Sequence, residues 1–218
     1  MTITVHHLEH SRSLRILWLL EELGVDYQIK TYARDPKTMR APPELAQIHA
    51  LGRAPVVDDD GLVLAESGAI IEHFVEAEGR LRPTDTEART LYRFWLHYAE
   101  GSAMPPLLVQ LIADRLKVAP VPFFLRPVVR GVAKKIEDLY SGPELRRHLG
   151  FIEQSLGECP YFVGEEFSGA DIQMLYPVLG GLRRGVVSMP KTKAWLGRIE
   201  ERPAYKRAVE RGGPAMPS

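Results

Sequence analysis

The chain of 218 residues is 45% hydrophobic, which suits one large domain or two modest domains with buried cores. Lysine plus arginine equals aspartate plus glutamate at 28 each, and this formal net charge of zero argues against nucleic acid as a partner. No apolar run approaches the roughly 20 residues of a membrane span, and the first residues lack the pattern of an export signal. The one cysteine, Cys159, excludes an internal disulfide and Cys-x-x-Cys chemistry, so we expect a cytoplasmic protein.

The first part of the chain predicts short strands and helices in the order β-α-β-α-β-β-α. Residues 3–5 alternate apolar and polar side chains, as a strand does, and Leu14–Leu23 has helical spacing and ends before Gly24. A second strand is expected at 27–32, and a strand, a helix and a strand in such close succession should leave the two strands parallel. We expect the polar side of the first helix to face solvent, through Arg15, Glu21 and Glu22.

A hairpin follows a loop and a short helix that starts at Pro43. Pro55 cannot donate to a sheet ladder and forces Ala54 into extended geometry. Its position beside a tight turn is typical of a cis peptide bond. Asp60-Gly61 predicts the turn of the hairpin, with its return strand at 62–64.

The next helix begins near Ser67, which we predict to be its N-cap. A serine oxygen accepts a free backbone N–H at this position, and the positive end of the helix dipole lies at the same point. Such helix starts bind carboxylates and phosphates. A capped helix without a ligand explains this segment equally well.

A linker at 80–85 separates the region 1–79 from the region 86–218, which shows only helical periods. The expected helices are 86–101, 107–116, 128–140, 143–156, one around Trp195 that Pro203 ends, and a short one at 205–209. Pro105-Pro106 should kink or interrupt the helical run, and 119–126 should be a loop. Ser168 followed by Asp171 predicts a capping box at the start of a further helix.

The sequence from Arg53 through Pro55 and the hairpin to Glu66-Ser67 resembles the glutathione-binding half of the cytosolic glutathione transferases. The resemblance spans nearly the full length of the chain. It implies an α/β plus all-α fold, with an N-terminal thioredoxin-like domain (βαβαββα) and a C-terminal all-helical domain. The runs HSRSLRILWLLEEL, RAPPEL and HALGRAP are most similar to a fungal and bacterial subgroup related to a yeast membrane-associated transferase.

The resemblance also implies glutathione as the cosubstrate and proposes the residues that bind it. In that family the proline, here Pro55, is cis, and the backbone of Ala54 pairs with the cysteinyl part of glutathione. Glu66 and Ser67 correspond to the residues that hold the γ-glutamyl end. Arg53 stands near the expected glycyl carboxylate, for which a guanidinium is well suited. The capping box of Ser168 and Asp171 is structural in the family.

The thiol of glutathione is then expected near the start of the first helix. A thiol of pKa near 8.5 is mostly protonated at neutral pH, whereas the thiolate is the nucleophile. A hydroxyl hydrogen bond and a helix start both lower such a pKa. Alignment with the serine-type enzymes indicates Ser11 as the catalytic residue, with His10, Ser13 and Arg12 as alternates. One of the two serines could be an N-cap only.

The implied reaction is the conjugation of glutathione to a small hydrophobic electrophile, a detoxification chemistry. The family forms its electrophile pocket from the first long helix of the second domain, which indicates Tyr98, Ser102, Met104 and Leu108. A two-fold homodimer is implied, and the histidines show no metal-ligand spacing. Two alternatives remain: a glutathione-dependent peroxidase or disulfide reductase, and a non-catalytic glutathione-binding protein.

Overall fold

The computed structural model describes residues 2–157 and 159–216. Its first part forms a four-stranded sheet in the order β2-β1-β3-β4. The strands are β1 (Ile3–Leu8), β2 (Gln28–Tyr32), β3 (Val56–Asp59) and β4 (Leu62–Ala65). β1 and β2 are parallel, as the sequence predicted, while β3 runs antiparallel to both β1 and β4.

Helices accompany the sheet and then form the whole second part of the chain. Beside the sheet lie α1 (Leu14–Leu23), α2 (Leu45–Ile48) and α3 (Ser67–Glu78). The second part contains α4 (Thr86–Tyr98), α5 (Met104–Lys117), α6 (Arg126–Ile136), α7 (Gly142–Ser155), α8 (Gly169–Arg184), α9 (Pro190–Glu201) and α10 (Pro203–Gly212). The predicted fold class is therefore confirmed, a thioredoxin-like domain followed by a helical domain. The boundaries 1–79, 80–85 and 86–218 remain predictions.

Helix α1 has no face toward solvent, so the prediction that Arg15, Glu21 and Glu22 form a solvent-exposed side is wrong. Arg15 is fully buried, and Glu21 and Glu22 are only partly exposed. The reason is α10, which packs along α1. Arg207 and Arg211 of α10 pair with Glu21, and Arg202, just before α10, pairs with Glu22. Glu22 accepts both the Nε and the Nη2 of Arg202, at 2.5 and 2.8 Å. Two carboxylates that the sequence pattern places on a solvent-facing surface thus form ion pairs at the contact between α1 and α10.

The prolines after α4 do not interrupt the helical run. The chain continues from α4 through a π-helical segment at Ala99–Ala103 into α5, and Pro105 and Pro106 occupy the first turn of α5. The π-helical segment lies just before the two prolines, in the turn whose carbonyl groups lose a donor because proline has no N–H. The predicted loop at 119–126 contains a 3₁₀ turn at Phe123–Leu125.

A second π-helical segment, Glu137–Ser141, joins α6 to α7 without the break that was predicted between them. The last two helices agree with the prediction, because α9 contains Trp195 and ends before Pro203. In the described part of the chain, no helix combines the length and the apolar character that a bilayer span requires.

The capping box at the start of α8 is confirmed. Ser168 donates its backbone N–H to the carboxylate of Asp171 at 3.0 Å, and the Ser168 oxygen accepts the Ala170 N–H at 3.3 Å. The other carboxylate oxygen of Asp171 accepts the Phe162 N–H at 3.1 Å and the Trp195 indole N–H at 2.9 Å. Asp171 therefore ties α8 to α9 and to the segment before α8.

Candidate active site

A cleft of about 1190 Å³ opens beside the start of α1, between the sheet and the helical domain. Its lining includes five predicted residues of the first domain: His10, Ser11, Arg12, Arg53 and Ala54. Leu107, Leu111 and Tyr176 line it from the helical side. Further guanidinium groups line the same cleft: Arg34, Arg40, Arg183 and Arg184. Arginines thus line the cleft from both domains, and apolar side chains of α5 line it as well, which suits an anionic ligand beside a hydrophobic one.

The Ser11 hydroxyl is held by the turn that precedes α1. Its Oγ accepts the backbone N–H of Ser13 at 3.2 Å and lies 2.7 Å from Ser13 Oγ. From α8, the Tyr176 hydroxyl donates to the Ser11 carbonyl and fixes the backbone. Ser11 is 9% exposed, and it lines the cleft. The serine thus lies in a fixed position at the edge of the cleft.

Ser13 occupies the N-cap position of α1 without capping it. Its hydroxyl oxygen accepts the Leu8 N–H at 3.1 Å and lies 2.9 Å from His7 Nδ1. Ser13 is fully buried, so it does not reach the cleft. Among the alternates, His10 is exposed and has a positive φ of 49°, which belongs to the tight turn before the helix.

Two arginines at the start of α1 share one carboxylate of the helical domain. Arg12 and Arg15 both pair with Glu100, which lies in the π-helical segment after α4, and the Arg15 bond measures 2.6 Å. Arg15 is fully buried, and its guanidinium lies 4.9 Å from the centre of the Tyr176 ring. One carboxylate thus faces two guanidinium groups, so the three side chains together keep a net positive charge at the start of α1.

Ser67 does not cap α3, so that prediction is wrong. Glu66 holds the N-cap position with a φ of 69°, and Ser67 is the first residue of the helix. The Ser67 side chain turns inward instead, where its Oγ accepts the Arg15 Nη1 at 3.2 Å. A guanidinium can only donate, so the Ser67 proton stays available for an anion at this helix start. Neither Glu66 nor Ser67 is among the cleft-lining residues. Arg15 bonds Ser67 and Glu100, and Glu100 also pairs with Arg12, which does line the cleft.

The Ala54-Pro55 peptide bond is cis, as predicted. Pro55 is buried beside β3, whereas Ala54 is half-buried and lines the cleft. Arg53 is exposed at the same wall. Arg53 and Ala54 therefore line the same cleft as Ser11 at the start of α1.

The four residues predicted for an electrophile pocket separate into two pairs. Met104 and Leu108 line the cleft. Tyr98 does not, because it packs in an aromatic cluster with Phe94 and Phe151 and bonds His148 Nδ1 at 2.7 Å. Ser102, in the π-helical segment, also lies outside the lining. A role of these two side chains in the electrophile pocket therefore stays a prediction that the lining of this cleft does not support.

Three residues of this region were not singled out from the sequence: His7, Glu100 and Tyr176. The burial of Arg15 was not predicted either. A signal existed for Arg15, since a lone charge between apolar neighbours on both sides indicates a buried group. For Glu100 and Tyr176 the sequence carries no local signal, because their partners lie on α1. Within residues 2–157 and 159–216, no three His, Cys, Asp or Glu side chains lie together as a metal site requires.

Comparison with known proteins agrees with this geometry. The models for "Glutathione S-transferase, N-terminal domain" and "Glutathione S-transferase, C-terminal domain" match residues 1–76 and 111–203. The chain is 38% identical to Glutathione S-transferase 3 of Schizosaccharomyces pombe, with 96% of this chain and 87% of that one covered. It is 35% identical to Glutathione S-transferase 1 of Saccharomyces cerevisiae, with 96% and 94% covered. A solved glutathione S-transferase structure from Actinobacillus pleuropneumoniae is 34% identical, covers 96% of this chain and 92% of that one, and has a TM-score of 0.72.

Proposed function

The chain belongs to the glutathione S-transferase family, and from this premise we propose that it binds glutathione, forms its thiolate and conjugates it to a small hydrophobic electrophile. The observation that carries the proposal is the position of Ser11. Its hydroxyl lies at the start of α1 and lines the same cleft as Arg53 and the Ala54 backbone. A hydroxyl at a helix start, within a basic cleft, is a suitable partner for a thiolate.

The γ-glutamyl end of glutathione is proposed to bind at the start of α3. There the Ser67 hydroxyl proton is available, because Arg15 supplies the bond that the Ser67 oxygen accepts. The unpaired N–H groups of the first turn of α3 add partial positive charge. Glu66, which is exposed beside Ser67, is suited to the ammonium group of the γ-glutamyl moiety. Arg53, at the opposite end, suits the glycyl carboxylate.

The electrophile is proposed to lie against the apolar side of the cleft. Met104, Leu107, Leu108 and Leu111 lie on α5, within one or two turns of each other, and all line the cleft. Leu108 and Leu111 are exposed, with 55% and 41% of their surface accessible. Exposed apolar side chains on the wall of a cleft favour a hydrophobic second substrate over a polar one.

A homodimer in the cytoplasm is proposed as the working form. Leu62 and Val63 on β4, and Leu91 and Phe94 on α4, expose apolar surface on the two domains. Such surface supports pairing of the first domain of one chain with the second domain of another. Light scattering tests this, and a monomeric mass would contradict it.

The central experiment mixes the pure protein with glutathione and a chromogenic aryl halide and follows conjugate formation. Glutathione affinity is measured separately by calorimetry. Turnover together with glutathione binding is the expected result, and the absence of both would contradict the proposal. A parallel panel of hydroperoxides and mixed disulfides separates conjugation from peroxidase or reductase activity. Glutathione binding without turnover on any substrate would favour a non-catalytic binding protein.

A further inference from the structure

Three polar side chains form a line from the cleft to α10, which we call the hydroxyl–imidazole chain (Ser11, Ser13 and His7). Ser11 Oγ lies 2.7 Å from Ser13 Oγ, and Ser13 Oγ lies 2.9 Å from His7 Nδ1. On the other side of the ring, His7 Nε2 lies 2.8 Å from the carbonyl oxygen of Gly212. Only Ser11 lines the cleft, because Ser13 and His7 are buried behind it.

The two ends of the chain fix the direction of its hydrogen bonds. The Gly212 carbonyl can only accept, so His7 Nε2 carries the proton and Nδ1 presents a lone pair. Ser13 donates its hydroxyl proton to Nδ1, since its other acceptor, the Leu8 carbonyl, is more distant at 3.3 Å. The Ser13 oxygen then accepts the Ser11 proton. As a result, the Ser11 proton points inward and its oxygen offers lone-pair density to the cleft.

We propose that His7 is the final acceptor of the proton that the glutathione thiol loses, and that this proton reaches it through Ser11 and Ser13. The inference rests on the proposed function, because the thiol is that of the proposed cosubstrate. The S–H bond breaks and its proton joins Ser11 Oγ, the Ser11 proton joins Ser13 Oγ, and the Ser13 proton joins His7 Nδ1. The sulfur keeps the bonding electron pair. The products are a thiolate and an imidazolium, with both serines again neutral.

After this transfer every hydrogen bond of the hydroxyl–imidazole chain has reversed. His7 donates to Ser13, Ser13 donates to Ser11, and Ser11 donates to the thiolate. The same heavy atoms thus first take the proton and then stabilise the negative sulfur, without a change of rotamer. When the conjugate leaves, the proton returns along the same path to water that enters the cleft. His7 does not touch the substrate, so it is a positioning residue that acts through the two serines.

The surroundings of His7 suit this role. Burial lowers the pKa of His7 below its ordinary value, so the ring is neutral at neutral pH and its Nδ1 lone pair accepts the Ser13 hydrogen bond, although the same burial disfavours the imidazolium. The Gly212 carbonyl and the Glu9 carboxylate act in the opposite direction and favour the imidazolium, while His10 acts with burial. The groups from neighbouring elements are uncharged: Ser13 from α1, Thr31 opposite His7 on β2, and Gly212 from α10.

The adjacent histidine, His6, provides a matched control. It lies on the same strand, it is also buried, and burial also lowers its pKa. Because side chains alternate along a strand, His6 points to the other face of the sheet, where its Nδ1 lies 2.8 Å from the Tyr32 hydroxyl. If the loss of any buried histidine impairs the protein, substitutions of His6 and His7 will have similar effects. If the proton path exists, only the substitution of His7 will change the pH profile.

The test compares wild type, His7→Gln, Ser13→Ala and His6→Gln. For each, kcat/KM with glutathione and a chromogenic aryl halide is measured across pH, glutathione affinity by calorimetry, and folding by circular dichroism. We expect His7→Gln and Ser13→Ala to lower turnover at neutral pH roughly 10- to 100-fold and to move the acidic limb of the profile upward by about one pH unit. Glutathione affinity should stay within about threefold of wild type. His6→Gln should keep the wild-type profile.

A direct readout uses histidine labelled with the NMR-active nitrogen isotope. Saturation with glutathione should convert the His7 ring from the neutral Nε2–H form to the imidazolium in wild type, and should not do so in Ser13→Ala. This measurement decides the matter if His7→Gln fails to fold. A ring that stays neutral while the ultraviolet absorbance of the bound thiolate is present would overturn the inference.

The outcomes also separate this inference from the proposed function. If the wild-type protein neither binds glutathione nor conjugates it, the proposed function fails and the proton path fails with it. If the wild type does both while His7→Gln and Ser13→Ala keep its pH profile, the proton path alone is wrong. Equal shifts in His6→Gln and His7→Gln would also contradict it.

Discussion

The starts of α1 and α3 face the same proposed ligand, yet their side chains are organised differently. At α1, Ser11 and Ser13 lead inward to a neutral imidazole, so the local groups can exchange protons. At α3, Ser67 leads inward to the guanidinium of Arg15, which keeps its charge at every accessible pH. A fixed cation is suited to hold a fixed anion, whereas a neutral chain of hydroxyls is suited to move a proton.

The comparison teaches that a helix start gains its chemical role from what lies behind its first turn. The backbone N–H groups and the helix dipole are common to both starts. The α8 start is a third case, because the buried carboxylate of Asp171 occupies it. It holds no space for a ligand and therefore provides a purely structural reference for the other two.

The largest expected effect is a loss of stability at the start of α8. Asp171→Asn places an amide N–H₂ among four donors, and we expect it to lower the free energy of unfolding by about 3 kcal/mol. Denaturant unfolding measures this loss. The control is Asp85→Asn at the exposed N-cap of α4, where Asn caps as well as Asp and the change should be near zero. Equal losses for the two variants would show that Asp171 has no special buried role.

The same residue predicts a pH dependence. Burial raises the pKa of Asp171 to about 6, from an ordinary value of 3.8, so the folded chain binds this proton more tightly than the unfolded chain. Its contribution to stability is therefore complete below pH of about 4 and is lost as the pH rises through about 6. We expect Asp171→Asn to cost more free energy at pH 5 than at pH 7.5, by unfolding at both values. A larger cost at the higher pH would reverse the sign and contradict the assignment.

The next effect concerns the α1 start. Ser11→Ala should raise the apparent pKa of bound glutathione and lower kcat/KM about 100-fold, while glutathione still binds, because the thiolate loses its hydroxyl partner. Rates across pH and calorimetry measure the two quantities. Ser102→Ala is the control, since Ser102 lies outside the cleft lining. An unchanged pH profile would transfer the role of Ser11 to His10 or to backbone N–H groups.

A smaller and different effect is expected at α3. Ser67→Ala removes a hydroxyl donor to an anionic group, which should weaken glutathione binding about tenfold. Since Arg15 keeps its charge, the position of the pH profile should not move. Calorimetry and the pH profile together test this division of roles, and Ser155→Ala on α7 is the control. A shift of the profile without a loss of affinity would show that the two helix starts do not differ as described.

The smallest effect is expected at the far end of the hydroxyl–imidazole chain. A Cβ at Gly212 would lie 2.4 Å from Leu17 Cδ1 and 3.1 Å from His7 Cε1, so Gly212→Ala must displace the ring or the leucine. We expect a loss of kcat/KM of about threefold to tenfold, with the acidic limb shifted in the same direction as in His7→Gln. Gly197→Ala on α9, where a Cβ meets open space, is the control. A loss of rate at constant pH profile would indicate a general packing defect.

Most of the fold could be predicted because its signals are local. Asp60-Gly61 forms the predicted turn, Ser168 with Asp171 forms the predicted capping box, and Ala54-Pro55 is cis. Each of these depends on residues within a few positions of one another. The two π-helical segments could not be predicted, because they depend on how α4 to α7 pack against the rest of the chain.

The site was predicted less completely, for the same physical reason. Ser11, Arg53 and Ala54 line one cleft, in agreement with the pattern that suggested them, although their roles stay predictions. Tyr98 packs in an aromatic cluster outside the lining, and an amphipathic pattern in the sequence does not distinguish a core face from a cleft face. The bonds of Arg15 with Glu100 and of His7 with Gly212 join residues that are far apart in the chain. Such partners become visible only after the chain has folded.

The position of α10 determines whether the two domains can be expressed as separate fragments. This last helix lies along α1, where Arg202 holds Glu22, and Arg207 and Arg211 hold Glu21. The tail of the chain is thus spatially a piece of the first domain. A fragment that ends at the linker would expose Trp18 and its apolar neighbours, so it should aggregate. The complementary fragment would carry α10 without the α1 surface on which it packs. Domain exchange between relatives should therefore succeed only when both chain ends come from one parent.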